Sequence, residues 1–165
     1  MTQIMREMTS IYLLHDRKIL LLFRQGGRVV NNVWVAAAGG HLESEELNHP
    51  YRGAIRELEE ELGLTEDHLE EMALRYITLH SVNGEIRQNY FYFAQVRNAD
   101  SLNLISNEGQ LQWFDLDQIS QLDMPLSARL ILKHYIEIGH ETSALYGGLV
   151  HGDSATWAVI EERQG

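Results

Sequence analysis

The stretch Pro50 to Gly63, PYRGAIRELEEELG, constrains this chain more than any other. Proline suits the first turn of a helix, where its missing N–H costs nothing. His49 or Asn48 can cap the turn before it, and Gly63 suits the position just past the helix end. Ala54, Leu58 and Leu62 recur at i, i+4 and i+8 with Ile55 beside them, so the helix has one apolar stripe that must lie on a core. Glu57, Glu60 and Glu61 share another face. Four glutamates in five residues, 57 to 61, repel one another unless something neutralises them. Carboxylate oxygens are natural ligands of Mg²⁺ and Mn²⁺, and Mg²⁺ commonly takes one or two carboxylates while keeping waters and phosphate oxygens. Arg56, four residues before Glu60, supplies a cation to hold a neighbouring carboxylate in place. On the helix alone a solvated acidic face is the commoner use of such a run.

The rest of the chain is strand-rich. Ser10 to Leu14 and Lys18 to Phe23 (KILLLF) read as a hairpin turning at His15-Asp16-Arg17. A loop through Gln25-Gly26-Gly27-Arg28 and Asn31-Asn32 leads to a short strand, Val33 to Ala37, that ends in Gly39-Gly40, where the backbone is freed from Cβ constraints. Met72 to Val82 and Glu85 to Val96 are strands joined by Asn83-Gly84, the strongest short hairpin signal in the chain. Leu111 to Leu116 is another strand. Leu126 to about Ile138 is an amphipathic helix closed by Gly139. In the tail, 140 to 165, Trp157 to Ile160 suggests an edge strand or a segment packed on a neighbouring subunit. Tyr146 to Val150 has no obvious place in the core, which makes a homodimer an expectation.

With 165 residues and 19.0 kDa the chain is expected to form a single domain, 1–165. Its net charge of −11 argues against polymeric nucleic acid as a partner, because phosphate contacts need Lys and Arg. A small nucleotide remains compatible, since bound metal can carry the positive charge. Cysteine is absent, which excludes disulfides, thiolate metal sites and cysteine nucleophiles. The first seven residues have no apolar core of a leader and no apolar run is long enough to cross a bilayer, so a cytoplasmic enzyme or binding module without membrane contact is expected. His41 beside Gly40 is near the acidic helix's expected metal, but one histidine among carboxylates is more often a polar loop residue. His49, His80, His134, His140 and His151 show no ligand spacing.

In context the acidic helix resembles the Nudix box: Gly, five residues, Glu, seven residues, Arg-Glu-apolar-any-Glu-Glu-any-Gly-apolar. Gly40, Glu46, Arg56, Glu57, Leu58, Glu60, Glu61, Gly63 and Leu64 match its fixed positions, over a box spanning 40–64. One departure is plain. Nine residues separate Glu46 from Arg56, with the extra pair in Leu47-Asn48-His49-Pro50-Tyr51, where a loop before the helix can absorb it. The resemblance implies an α+β fold, an αβα sandwich around a mixed β-sheet. It implies a Mg²⁺-dependent (or Mn²⁺-dependent) pyrophosphohydrolase acting on a nucleoside diphosphate linked to another group. Glu57, Glu60 and Glu61 are then the metal ligands, Arg56 orients them, and Gly39 and Gly40 border the substrate.

Such chemistry aligns a metal-activated water for in-line attack on phosphorus, and a base must take its proton. Glu108, in Ser106-Asn107-Glu108-Gly109, is the first candidate, with a turn residue as the equally weighted alternative and Glu46 and Glu61 as competitors. Arg24, at the end of KILLLF, meets a phosphate or is simply an exposed strand end. The segment from Asn107 to Ile119 is similar to that of MutT-like members acting on oxidised purine nucleoside triphosphates. Trp34, Asn89, Tyr90, Phe91 and Trp113 are candidates for stacking on and reading a base, although a Trp-Phe pair at a strand end more often belongs to the core. ADP-ribose, nucleotide sugars, dinucleoside polyphosphates, ordinary dNTPs and a non-catalytic nucleotide-sensing role are the alternatives.

Overall fold

The computed structural model describes residues 4–26 and 32–165; Gly27, Arg28 and Asn31 of the expected loop lie outside the described residues. Strand β1 (Ile4–His15) turns through Asp16-Arg17 into β2 (Lys18–Arg24), pairing Leu13 with Leu20 and Leu14 with Ile19. Asp16 takes φ 54, as a tight two-residue hairpin demands. KILLLF is apolar almost throughout because both faces of β2 are covered. Leu20 packs with one core cluster, while Ile19 and Leu21 pack with the other.

The strand expected over Val33 to Ala37 is divided. β3 (Val33–Ala36) runs along β2, the chain bends at Ala37, and β4 (Ala38–His41) pairs antiparallel with β1, Ser10 against Gly39 and Thr9 against Gly40. The two glycines therefore sit inside a strand instead of ending one. A Cβ on Gly39 would stand 2.5 Å from the Thr9 carbonyl oxygen, so only glycine lets β4 approach β1 this closely.

Helix α1 (Pro50–Leu62) follows, then β5 (Leu69–Val82) and β6 (Glu85–Val96), joined by Asn83 and Gly84 at φ 51 and 82. β6 lies parallel to β1 and antiparallel to β5, the most central place in the sheet. β7 (Gly109–Asp115) covers the other side of β2, and α2 (Leu126–Glu137) follows. The main strand order is β3-β2-β1-β6-β5-β8-β9, where β8 (Tyr146–His151) runs parallel to β5 and β9 (Ser154–Val159) turns back along β8.

Alternation along the strands sends side chains to two cores. Ala54, Leu58 and Leu62 of α1 pack against Ile11, Leu13, Leu20, Tyr90 and Tyr92. Ile131, Leu132 and Tyr135 of α2 pack against Tyr12, Ile19, Leu21, Phe91 and Phe93. The fold is an α+β arrangement in three layers, αβα, around a mixed sheet. Truncating the fully buried Leu58 to Ala would cost about 2–5 kcal/mol.

The tail supplies an edge strand as one expectation had it, and Tyr146 to Val150 finds its place on the chain's own sheet. Tyr146 stacks on Tyr76 with ring centroids 5.6 Å apart, and Trp157 meets Tyr76 edge-on at 5.3 Å. This removes the reason for which that segment suggested a homodimer. Among the described residues no helix is long and apolar enough to cross a membrane.

Candidate active site

Helix α1 presents its acidic face to β4 and the turn before it. Gly63 sits at φ 66 and donates its N–H to the Glu59 carbonyl at 2.9 Å, the left-handed cap the sequence implies. Gly53 lets the helix settle on Leu42, whose Cδ2 would collide with any Cβ there.

Arg56 is the hub of the acidic face. Its Nε and Nη2 donate to the two oxygens of Glu46 at 2.9 and 2.8 Å. Nη1 donates to Glu57 Oε1 at 3.0 Å and Glu60 Oε2 at 3.1 Å, and Nη2 also reaches the His41 carbonyl at 3.2 Å. Glu46 is buried, and the hydrogen bonds from Arg56 hold its carboxyl below the usual carboxylate range against the opposing effect of burial. A carboxylate so fully engaged with a guanidinium is a poor base. The two extra residues are absorbed as the sequence allows: Ser44–Glu46 forms a 3-10 turn, His49 N–H donates to the Glu46 carbonyl at 2.7 Å, and Asn48 takes φ 68.

Glu57 and Glu61 turn inward, while Glu60 leaves its side chain 58 % exposed against 12 % for Glu57. A Cβ on Gly40 would run into the Glu57 carboxylate, and the Gly39 N–H donates to Glu61 Oε2 at 3.3 Å. The β4 backbone is thus the floor under both carboxylates. Burial, then the charge of Glu108, then that of Glu57, push the Glu61 carboxyl up to about 8, against the pull of the Gly39 N–H. Glu108 belongs to this cluster although it is distant in sequence. The approach of β7 to β2, tight enough that a Cβ on Gly109 would strike the Phe23 carbonyl, brings Glu108 beside Arg24. Arg24 Nη2 and Glu108 Oε2 are 2.7 Å apart.

Arg24, Gly39, Gly40, Glu61, Glu108 and Asn89 line one cleft. Trp113 does not join them; it packs with the α1-side core, its ring facing His15 with centroids 6.1 Å apart. Trp34 packs on Phe23 and Phe114, and Tyr90 points to the α1 side and donates to Glu7 Oε1 at 2.8 Å. Phe91 does line the cleft.

Sequence reasoning missed His80, Arg87, Met8 and Ser10, and the start of α2 at Pro125 and Ser127, which complete the wall. Arg87, Asn89 and Phe91 alternate along β6 and therefore share a face, so Asn89 already pointed to Arg87. His80 lies opposite Arg87 on β5. Burial and the Arg87 charge depress its pKa, and its Nδ1 has no hydrogen-bond partner.

Among the described residues no group of three or more histidine, aspartate or glutamate side chains is placed to hold a metal ion. The donor set nevertheless fits Mg²⁺, which needs few protein carboxylates and takes the rest of its shell from water and phosphate. Crowded carboxylates over a glycine floor, one of them pushed up first by burial and then by its anionic neighbours, are an arrangement a divalent cation relieves.

The family model of the NUDIX domain matches residues 5–135. Among solved structures the chain is similar to the MutT protein of Bacillus halodurans, at 21 % identity over 96 % of this chain and 99 % of that one, with a TM-score of 0.69. It is similar to the MutT NUDIX hydrolase of Burkholderia pseudomallei, at 26 % identity over 78 % and 96 %, with a TM-score of 0.59. The Ap4A hydrolase of C. elegans shares the fold at 18 % identity over 84 % and 99 %, with a TM-score of 0.59. No curated protein matches the chain. A family model covering most of the sequence, on a sandwich shared with MutT structures, makes the chain a member of the NUDIX domain family, a MutT-like Nudix pyrophosphohydrolase.

Proposed function

We propose that the chain hydrolyses a nucleoside triphosphate, oxidised purine nucleotides included, to the monophosphate and pyrophosphate, and that Glu57, Glu60 and Glu61 hold the Mg²⁺ or Mn²⁺ it requires. The observation that carries this reading is the meeting of Glu61 and Glu108 in one cleft, with Glu57 hydrogen-bonded to Glu61 beside it and Glu61 pushed up to about 8. Such a cation supplies the positive charge that the phosphate oxygens and the attacking water need.

The residues divide the remaining work. Gly39 lets β4 lie close against β1, and Gly40 leaves room for the Glu57 carboxylate over the strand. Arg24 offers its guanidinium to a phosphate oxygen from across the cleft. Glu108, released from Arg24 when the phosphate takes its place, accepts the proton of the attacking water. Arg56 holds Glu57 and Glu60 in orientation and is itself held by Glu46. Asn89, Arg87 and Phe91 form the wall against which the nucleoside lies, offering hydrogen bonds and a ring face. MutT-named neighbours support the triphosphate; the Ap4A hydrolase neighbour supports dinucleoside polyphosphates as the second reading. Retention of all three box glutamates favours catalysis over nucleotide sensing.

The test is a panel of 8-oxo-dGTP, dGTP, ATP, Ap4A and ADP-ribose, scored for released pyrophosphate or phosphate with EDTA and with Mg²⁺ restored. Triphosphates should give pyrophosphate only when metal is present. Turnover that survives exhaustive chelation, or a preference for ADP-ribose, would overturn the reading.

A further inference from the structure

A second cavity, of about 470 Å³, opens farther along β1 and β6, beside Leu14, Phe93 and Gln95 and away from the carboxylate cleft at Met8, Ser10 and Asn89. Its volume is within the range of small-molecule sites. Helix α2 links the two places: Pro125 and Ser127 at its start line the cleft, and Tyr135 near its end lines the cavity.

The cavity is built on a disturbed strand. Pairing of β5 with β6 shifts register between Glu70 and Ala73 and again between Leu74 and Tyr76, and Glu71 takes φ 54. Bulges re-aim side chains, and Arg75 is left without a partner position on β6. Its guanidinium turns to the chain that follows α2. Nε donates to the Ala144 carbonyl at 3.1 Å, and Nη2 donates to the Gly139 and Thr142 carbonyls at 2.6 and 2.7 Å. The Tyr135 ring lies 5.9 Å from its central carbon.

Arg75 is only 9 % exposed, yet among the described residues no carboxylate pairs with it. Carbonyls satisfy three of its hydrogen-bonding directions without neutralising its charge, and among the described residues none accepts a hydrogen bond from Nη1, which is not a buried orphan. A buried cation lacking an anion is costly. The residues around it offer further donors in Gln95 and Ser143, an apolar floor in Leu14, Phe93 and Tyr135, and one negative residue, Glu71.

We propose that this cavity binds a small carboxylate with an apolar body, its carboxylate on Arg75 Nη1 and its body against Phe93 and Tyr135. A carboxylate fits better than a phosphate. Glu71 on the lining and a net charge of −11 oppose a second negative charge, and the floor has no use for a bare ion. This site is independent of the hydrolytic reading, because none of its residues belongs to the carboxylate cleft.

Arg75 also closes the turn after α2, so replacing it would disturb the fold. The exposed Ser143 is the better handle. Titrating benzoate, and separately inorganic phosphate, into the ¹⁵N-labelled full chain should move the Arg75 Nε–H, Gln95 side-chain amide and 139–144 backbone resonances saturably with benzoate. Ser143→Glu, which adds a negative charge at the mouth, should weaken benzoate by about tenfold or more. Benzoate shifts that fail to saturate, shifts confined to Arg24 and Arg87, tighter binding of phosphate than of benzoate, or an affinity unchanged in Ser143→Glu would each overturn the proposal.

Discussion

Gly40 and Glu57 are complementary: the glutamate carboxylate occupies the space a side chain at 40 would need. Gly40→Ala must therefore push the end of a flexible side chain aside, which leaves the fold intact and moves a proposed metal ligand. Gly39 differs, because its Cβ would meet backbone, the Thr9 carbonyl oxygen at 2.5 Å. We expect Gly40→Ala to lower kcat at least tenfold, on the order of the loss when a ligand's support is disturbed, with Tm nearly unchanged. Gly39→Ala should destabilise by about 1–3 kcal/mol, as overpacking against a rigid neighbour does. Steady-state kinetics beside thermal melts separate the two, and equal Tm losses would refute the distinction.

Arg56 grips Glu46 through two parallel hydrogen bonds and reaches Glu57 and Glu60 with a third nitrogen. Lysine keeps the charge but has no planar fork. Arg56→Lys should lower kcat by about 10–100-fold and leave KM for the nucleotide within a few-fold if, as proposed, Arg56 orients the glutamates and does not touch substrate. A rise in KM at unchanged kcat would instead make Arg56 a direct phosphate contact.

How far the sequence carries these statements depends on the distance over which each signal acts. The α1 boundaries were legible because Pro50 and Gly63 are local devices, and the hairpins at Asp16-Arg17 and Asn83-Gly84 were legible because two-residue turns write their own chemistry. Gly39 and Gly40 looked like the end of a strand, since nothing nearby says that β1 lies against them. Trp113 stood as a candidate for base stacking with the core as the commoner reading, and the three-dimensional arrangement places it with the core. The tail was the least legible part. Tyr146 and Trp157 answer to Tyr76 and His134, residues far away along the chain. Arg24 and Glu108 form a pair 84 residues apart that only the β2–β7 register creates.

Glu60 and Glu61 hold different positions in the acidic cluster, and their substitutions should read differently. Glu60 is mostly exposed and tied to Arg56, whereas Glu61 lies in the cleft against Gly39 and near Glu108. Both Glu60→Gln and Glu61→Gln should lower kcat by about a hundredfold or more at saturating Mg²⁺. Only Glu61→Gln should raise the Tm of the metal-free protein at pH 8, because it removes a charge disfavoured by burial and then by Glu108 and Glu57. Full activity in either variant would remove that residue from the metal site.

The same crowding gives the metal-free protein a defined pH response. Glu61 has an ordinary value of 4.5 and is pushed up to about 8 in the folded chain. The folded state then holds a proton that the unfolded state has released, so the contribution of Glu61 to stability is fully present below about pH 4.5. It declines as pH rises and is lost once pH passes about 8. On the proposed reading Mg²⁺ would expel that proton, so stabilisation by the metal should grow over the same interval and level off above it. Comparing Tm for the protein and its Glu61→Gln variant, in EDTA and in excess Mg²⁺ between pH 5 and 8.5, isolates this one carboxyl from the titration of the rest. A difference between the two proteins that stays flat across that interval in EDTA would mean that Glu61 is ionised without metal, and that the carboxylates of this cleft tolerate one another unaided.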